Sequence, residues 1–383
     1  MATPVPYFSL NNGLKIPAIG MGCWMGDVGG GPAVEEMCAN ALKNGYRHLD
    51  TAFGYGNEEH VGKAVRESGI PRNEIFVTTK LWNDCHHKVK EAFEQSLNNL
   101  GLDYIDLYLM HWPMAQIDDI VLGPEEHPTI VDTWKEMEKL LETGKVKSIG
   151  VSNFGIKPLK RLLSQCKVVP VTNQVESHPC LPYLELKNLC EENGILITAY
   201  SPLGQSNRVF LADPDMIKIA ESHQVTPAQV AMSWAVQRGT VAIPKSANLE
   251  RMRQNISLVT LSDKEMDLVT SLHKKPGMHR SLLAYHHDGG VVFGWTYKQL
   301  DWPMDKGGFV IDQENNCILR SKTHPTSFHR KWPVTSQAPL THFPMTRQNQ
   351  CSGSSPSIPL TSFCAQTSLP LTSSLQLKIQ SSV

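Results

Sequence analysis

Eight times in succession along this chain, a short β-branched or apolar run gives way to a longer amphipathic one. The short runs fall at 16–20, 46–50, 75–80, 105–111, 148–151, 171–174, 196–200 and 241–244. Runs of this length and composition read as strands. The stretches between them carry helix-like spacing: 33–44, 58–68, 89–100, 131–143, 157–165, 183–193, 213–223 with 227–237, and 248–256. Gly45, Gly101, Gly144 and Gly194 each follow such a stretch, as helix-terminating glycines do. Thr226 before Pro227 suits a helix start. Strand–helix alternation implies parallel strands joined by helical crossovers. Eight such units in about 250 residues are the count and size of a (β/α)8 barrel. A dinucleotide-binding Rossmann sheet competes, because Gly20-Met-Gly22-Cys-Trp-Met-Gly26 precedes a second run ending in Asp50. The last glycine stands one place too far, and eight units without a switch point favour the barrel. Residues 7–10, Asn11-Asn12-Gly13 and 14–16 read as a hairpin beneath that barrel. Residues 275–308, irregular, aromatic and glycine-rich, are placed to fold over its mouth.

The pattern stops near residue 310. Residues 311–383 hold 13 Ser, 8 Thr and 7 Pro, and their only acids are Asp312 and Glu314. The net charge changes from −5 over residues 1–310 to +4 over residues 311–383. Such a segment buries too little apolar surface to offset the entropy of ordering, so a disordered tail is expected. So abrupt a change is also what translated intron or untranslated sequence would give. Sequencing the transcript separates the two. The chain divides on this reading into a barrel, 1–310, and a tail, 311–383.

Overall the net charge is −1, which argues against a generic nucleic-acid binder. The nine cysteines contain no C-x-x-C pair, which fits neither a disulfide framework nor a zinc site. His86-His87 and His286-His287 lack ligand partners at useful spacing and read as surface loop, so no metal is expected. The first ten residues carry no secretory signal pattern, and no apolar run approaches the roughly 18 residues of a membrane span. A cytoplasmic monomer is the default expectation.

In a barrel of this kind, chemistry sits at the C-terminal ends of the strands. Asp50 ends the second, with Tyr55 just beyond; Lys80 ends the third and His111 the fourth. Singly, each has a plain explanation: a helix cap, loop packing, a solvated strand end, a core histidine. Together at successive strand ends they form a proton-transfer constellation. A nearby ammonium lowers the pKa of a phenol, a carboxylate fixes that ammonium, and a histidine orients a carbonyl.

Three segments carry a family resemblance. The first is Gly45-Tyr-Arg-His-Leu-Asp50-Thr-Ala, continuing through Tyr55 to Glu58 and Gly62. The second is Lys147-Ser-Ile-Gly-Val-Ser152-Asn153-Phe154. The third is Ile243-Pro-Lys245-Ser246, then Arg251 and Gln254-Asn255. From about Tyr7 to Trp302 the chain resembles the aldo-keto reductases, and most of all fungal members that reduce aldehydes and sugars or oxidise glycerol. The resemblance implies that Asp50, Tyr55, Lys80 and His111 are catalytic, with Tyr55 as general acid. It implies that Ser152, Asn153 and Gln174 hold the nicotinamide carboxamide of NADPH and that Tyr200 stacks on its ring. Ser201 and Leu203 would follow the pyrophosphate. Lys245, Ser246 and Arg251 would surround the 2′-phosphate, and Gln254 and Asn255 would face the adenine. Charge chemistry agrees with the phosphate assignment, since Lys245, Arg251 and Arg253 gather positive charge in a part of net −5. Trp24, Trp82 and Trp112 would line an apolar substrate pocket with His111, and residues 278–297 would form a variable substrate loop.

Two residues depart from the family pattern. Cys23 stands where many members have Thr, and Gln205 where a Ser often follows Pro-Leu-Gly. The expected activity is NADPH-dependent reduction of aldehydes or ketones, such as small sugars and glyceraldehyde-like carbonyls, to alcohols. The alternative is a non-catalytic NADPH-binding regulatory subunit built on the same barrel.

Overall fold

The computed structural model describes residues 5–283 and 289–311. The tail from residue 312 on, and His286-His287, lie outside the described residues. An eight-stranded parallel sheet forms the centre, and its strands follow one another in chain order. They are β1 (Met21–Gly22), β2 (His48–Asp50), β3 (Phe76–Leu81), β4 (Leu107–Met110), β5 (Ile149–Ser152), β6 (Thr172–Glu176), β7 (Leu196–Tyr200) and β8 (Thr240–Ile243). The ring closes between the first and last strands. Ile19 bridges Ala242 in parallel, and Gly20 N and Gly22 N donate to the carbonyls of Ala242 and Pro244 at 2.9 and 3.0 Å. Gly22 permits that closure, because a Cβ there would stand 2.9 Å from the Ile243 carbonyl oxygen. The expected (β/α)8 barrel is therefore the observed one.

The helices are α1 (Gly31–Lys43), α2 (Glu58–Arg66), α3 (Val89–Leu100), α4 (Ile130–Leu140), α5 (Ile156–Leu163), α6 (Leu184–Glu192), α7 (Pro214–Ser222), α8 (Pro227–Gln237), α9 (Leu249–Ile256), α10 (Asp263–Ser271) and the short α11 (Tyr297–Leu300). Gly45, Gly101, Gly144 and Gly194 all take positive φ, at 97°, 60°, 69° and 70°. Each allows the chain to leave its helical turn left-handed, where a side chain would clash. Thr226 caps α8 with a reciprocal Gln229 contact.

Gly62, in the first sequence motif, lies where α2 crosses the end of α3. A Cβ there would overlap the Leu100 carbonyl, which also accepts a hydrogen bond from Arg66. Ala would gain about 1 kcal/mol of helix propensity over Gly, but the overlap is with backbone, which cannot swing away. Gly62→Ala is therefore expected to cost about 3 kcal/mol. A urea midpoint equal to that of the parent would refute the close approach.

Two details differ from the sequence reading. The first barrel strand is not 16–20: Lys15–Pro17 is the return strand of the hairpin, paired with Tyr7–Ser9, and the barrel strand starts at Met21. A central strand must donate along its whole length, and Pro17 has no N–H to give. Helix α10 was not expected at all, although Ser262 and Glu265 form its capping box.

The hairpin lies under the barrel. Asn11 donates to Pro170 O at 3.1 Å and Asn12 to Ser148 Oγ at 2.9 Å, both near strand starts. Leu10 and Ile16 join Phe76, Leu107, Val171 and Val241 in the lower core. On this N-terminal face a cavity of about 510 Å³ is lined by Tyr7, Lys15, Arg47, Phe76, Tyr104 and Lys147, among others. At the opposite end, residues 291–304 pack on Trp112 and Met114, so the aromatic segment does cover the mouth. No helix among the described residues is long and apolar enough to cross a membrane.

Candidate active site

Strand alternation explains how polar side chains reach the barrel axis. Phe76, Thr78 and Lys80 share one face of β3. Phe76 joins the lower core, Thr78 shares a hydrogen bond with His48 at 3.0 Å, and Lys80 meets Asp50 near the mouth. Lys80 is fully buried, and its ammonium donates to Asp50 Oδ1 at 2.5 Å and to Thr51 O at 2.7 Å. A buried charge persists only when its partners replace water, and here a carboxylate and a carbonyl do so. The second Asp50 oxygen accepts from Gln174 Nε2 at 2.7 Å.

Tyr55 ends a short turn, Phe53–Tyr55, placed by Gly54 lying flat against Trp82. A Cβ on Gly54 would stand 2.6 Å from the Trp82 ring. The Tyr55 ring lies 5.1 Å from the Lys80 ammonium, 5.6 Å from the His111 ring and 5.0 Å from the Trp24 ring. The structure thus brings Asp50, Tyr55, Lys80 and His111 together.

Burial, then the Asp50 carboxylate and then Cys23 hold the Tyr55 phenol well above its usual pKa. The lowering by Lys80 expected from the sequence is not what this site shows. Burial and then Lys80 hold His111 well below the usual histidine range. At neutral pH the site therefore presents a neutral phenol beside a neutral imidazole. His111 Nδ1 is buried with no hydrogen-bond partner among the described residues.

The residues assigned to the nicotinamide form a connected chain. Tyr200 Oη donates to Asn153 Oδ1 at 2.8 Å. Asn153 Nδ2 donates to His111 O at 2.9 Å and to Ser152 Oγ at 3.2 Å. Ser152 Oγ donates to Gln174 O at 2.8 Å, and Gln174 leads on to Asp50. Asn153 takes φ 64°, a conformation in which Asn is better tolerated than most residues. Ser201 and Leu203 lie in the loop after β7, where Gln205 Nε2 donates to Ser201 Oγ at 3.2 Å. Gln205 therefore holds this loop through a neighbouring hydroxyl.

Lys245 and Ser246 follow β8, and Asn248 caps α9 by accepting from Arg251 N at 2.9 Å. Lys245 and Arg251 are exposed and make no ion pair among the described residues, whereas Arg253 is drawn to Asn44 and Glu250. Gln254 contacts Glu250 at 3.2 Å. Asn255 is buried against the Tyr46 hydroxyl, so its side chain points into the protein.

Trp82 lies 5.2 Å from His111, and Trp112 is 3% exposed beside them. Phe293, not singled out from the sequence, sits edge-on to both, at 5.5 Å from Trp82 and 5.1 Å from Trp112. Its signal was the Phe-Gly turn of a two-residue hairpin, with Gly294 at φ 86°. Trp302 lies 6.0 Å from Trp112. Trp295 and Tyr297 are buried beneath this wall, and Trp295 Nε1 donates to Leu122 O at 2.7 Å.

Two further sequence readings change. His86 is not on a surface loop: it is 2% exposed, shares a 3.2 Å hydrogen bond with Thr133 Oγ1, and burial pushes its pKa down to about 3. Cys23 turns from the mouth into the core, 3.6 Å from the Cys38 sulfur. Among the described residues no group of His, Cys, Asp or Glu is arranged to hold a metal ion.

The sequence profile described as the Aldo/keto reductase family matches residues 18–274. A glycerol 2-dehydrogenase (NADP(+)) of Saccharomyces cerevisiae is 44% identical over 291 residues, 71% of this chain and 92% of that one. A D-galacturonate reductase of Hypocrea jecorina is 39% identical over 312 residues, covering 76% and 98% of the two chains. Among solved structures, an aldo-keto reductase of Bombyx mori in complex with NADP superposes with TM-score 0.66 at 35% identity, over 70% of this chain and 93% of that one. With a closed eight-stranded barrel, four ionisable residues at its mouth and relatives of this similarity, the chain belongs to the aldo/keto reductase family.

Proposed function

We propose that the chain is an NADPH-dependent reductase of aldehydes and ketones, with glyceraldehyde-like carbonyls and small sugars as its substrate class. The observation that carries this reading is the buried Lys80–Asp50 pair beside the Tyr55 ring, with the His111 ring 5.6 Å from that phenol. NADPH, when bound at the mouth, would supply the hydride. A carbonyl oxygen placed between Tyr55 and His111 takes its proton from the phenol as negative charge grows on it. His111 orients that oxygen, while Trp24, Trp82, Trp112 and Phe293 keep water away from it. In the alcohol-to-carbonyl direction the same phenol oxygen receives the proton. Lys80, held by Asp50, keeps a fixed positive charge under the ring, which matters most when the phenol gives up its proton.

The residues present suit the cofactor. Ser152, Asn153, Gln174 and Tyr200, joined by hydrogen bonds into one group, would take the nicotinamide end. Ser201 and Leu203 follow β7 and Ser246 follows the neighbouring β8, and near the start of α9 stand two cations that make no ion pair among the described residues. Lys245 and Arg251 are the pair for a 2′-phosphate, since an exposed guanidinium and an ammonium together take a dianion. Asn255, turned inward toward Tyr46, supports α9 from beneath, and Gln254 remains for the adenine. Arg251→Ala is expected to raise the KM for NADPH at least about tenfold and that for NADH less than about twofold. Equal effects on the two cofactors would refute the assignment.

This reading takes residues 1–310 as the catalytic unit, acting as a monomer in the cytoplasm. Free thiols at all the described cysteines support a reducing compartment. No observation favours the regulatory-subunit alternative. The direct test follows NADPH absorbance with DL-glyceraldehyde. Turnover is expected, and cofactor binding with no turnover across a carbonyl panel would overturn the reading.

A further inference from the structure

Glu176 is the last residue of β6, 6% exposed, and its carboxylate is gripped from far along the chain. Ser281 Oγ donates to its Oε2 at 2.5 Å, and Leu282 N donates to its Oε1 at 2.7 Å. His178 Nε2 lies 2.9 Å from the same Oε1, and the buried His178 ring stacks on Phe210 at 5.6 Å. Phe210 closes the loop that follows β7, and Ser281 and Leu282 begin the segment over the mouth. The two meet above Gly204, at φ 73°. A Cβ there would stand 2.8 Å from the Leu282 side chain and 3.4 Å from the Phe210 ring.

We propose that Glu176 is a positioning residue that clamps the loop at 201–210 to the mouth segment at 278–283, so that cofactor and carbonyl are held by one jointed unit. This rests on reading the mouth as an NADPH-dependent site. Among the described residues Glu176 makes no hydrogen bond to Asp50, Tyr55, Lys80 or His111. Its effect therefore passes through the two segments and not through proton transfer. An anion suits the task because charge-assisted bonds to three donors fix direction as well as distance. Desolvating such an anion is costly unless all its donors stay in place, so the clamp releases as a unit.

The test is Glu176→Gln in the full chain. It keeps the shape and loses the charge. Expected results are a rise of about tenfold in both the NADPH Kd, read by tryptophan fluorescence, and the KM for DL-glyceraldehyde, with kcat changed less than about threefold. Trypsin should cut after Arg280 about tenfold faster. Should that variant not fold, Ser281→Ala removes one donor alone and is expected to shift both constants about threefold. A folded variant with parental Kd, KM and trypsin rate would overturn the clamp, and a shift in only one of the two constants would overturn the coupling. If the parent protein bound no NADPH at all, the reading of the mouth would fail, while the trypsin rate would still test the clamp.

Discussion

Replacing Tyr55 with Phe is expected to lower kcat for glyceraldehyde reduction at least about 100-fold and to leave the NADPH Kd within about twofold. The ring stays between Trp24 and His111, so packing is conserved and only the hydroxyl is lost. A positioned proton donor contributes about 10²–10⁴-fold, so even the lower limit corresponds to roughly 2.7 kcal/mol of barrel-mouth stabilisation of the transition state. The pH profile of the parent is a second readout. Burial keeps the phenol protonated above its ordinary range, and His111 stays neutral through neutral pH. Reduction should therefore run flat from below the ordinary histidine value of about 6.5 to beyond the ordinary tyrosine value of about 10, and fall only as the phenol ionises above it. A Phe variant with near-parental kcat would remove Tyr55 from the proton transfer.

Asp50→Asn is expected to be the most destabilising single change at the site. It leaves Lys80, with none of its side chain exposed, facing an amide in place of its counter-charge. Breaking a buried pair from one side costs about 3–5 kcal/mol. For a body of this size that lowers Tm on the order of 10 °C. It also frees Gln174, whose amide nitrogen donates to the other Asp50 oxygen. The matched control replaces both partners, Asp50→Leu with Lys80→Met. That pair should recover most of the stability and none of the turnover, because two apolar side chains need no partner but cannot support a phenolate. Calorimetry that found the Asn variant as stable as the parent would show that the ion pair does not hold the strands together.

Much of this architecture is written in local patterns. The strand at Leu196–Tyr200 and the helix at Pro227–Gln237 lie where the sequence placed them, because period, turn residues and caps all agree there. The first strand was misplaced because apolar character at Ile16 outweighed the missing N–H of Pro17. Ser262 and Glu265 carried a legible start signal for α10, but the segment lacked a strong apolar stripe to draw attention to it. The meeting of Asp50, Lys80 and His111 was legible because strand ends converge in any barrel. Their wiring was not: Gln174 and Asp50 are 124 residues apart, and no local rule joins them. His86 looked solvated beside His87, and only Thr133, 47 residues on, explains its burial. Phe293 and Glu176 acquire meaning only when distant loops fold over the mouth.

The line of hydrogen bonds from Tyr200 through Asn153, Ser152 and Gln174 to Asp50 and Lys80 takes a link from five different strands. Apart from the Asn153–Ser152 contact, its links join residues at least 22 positions apart, so no short fragment of the chain can rehearse it. The line is complete only when β2 and β3 meet β5, β6 and β7 across the barrel axis, and slow, non-local closure is the expected pace of such a topology. Regain of turnover during refolding would accordingly trail the regain of helix signal, which makes enzymatic activity a clock for assembly across the barrel axis rather than for collapse.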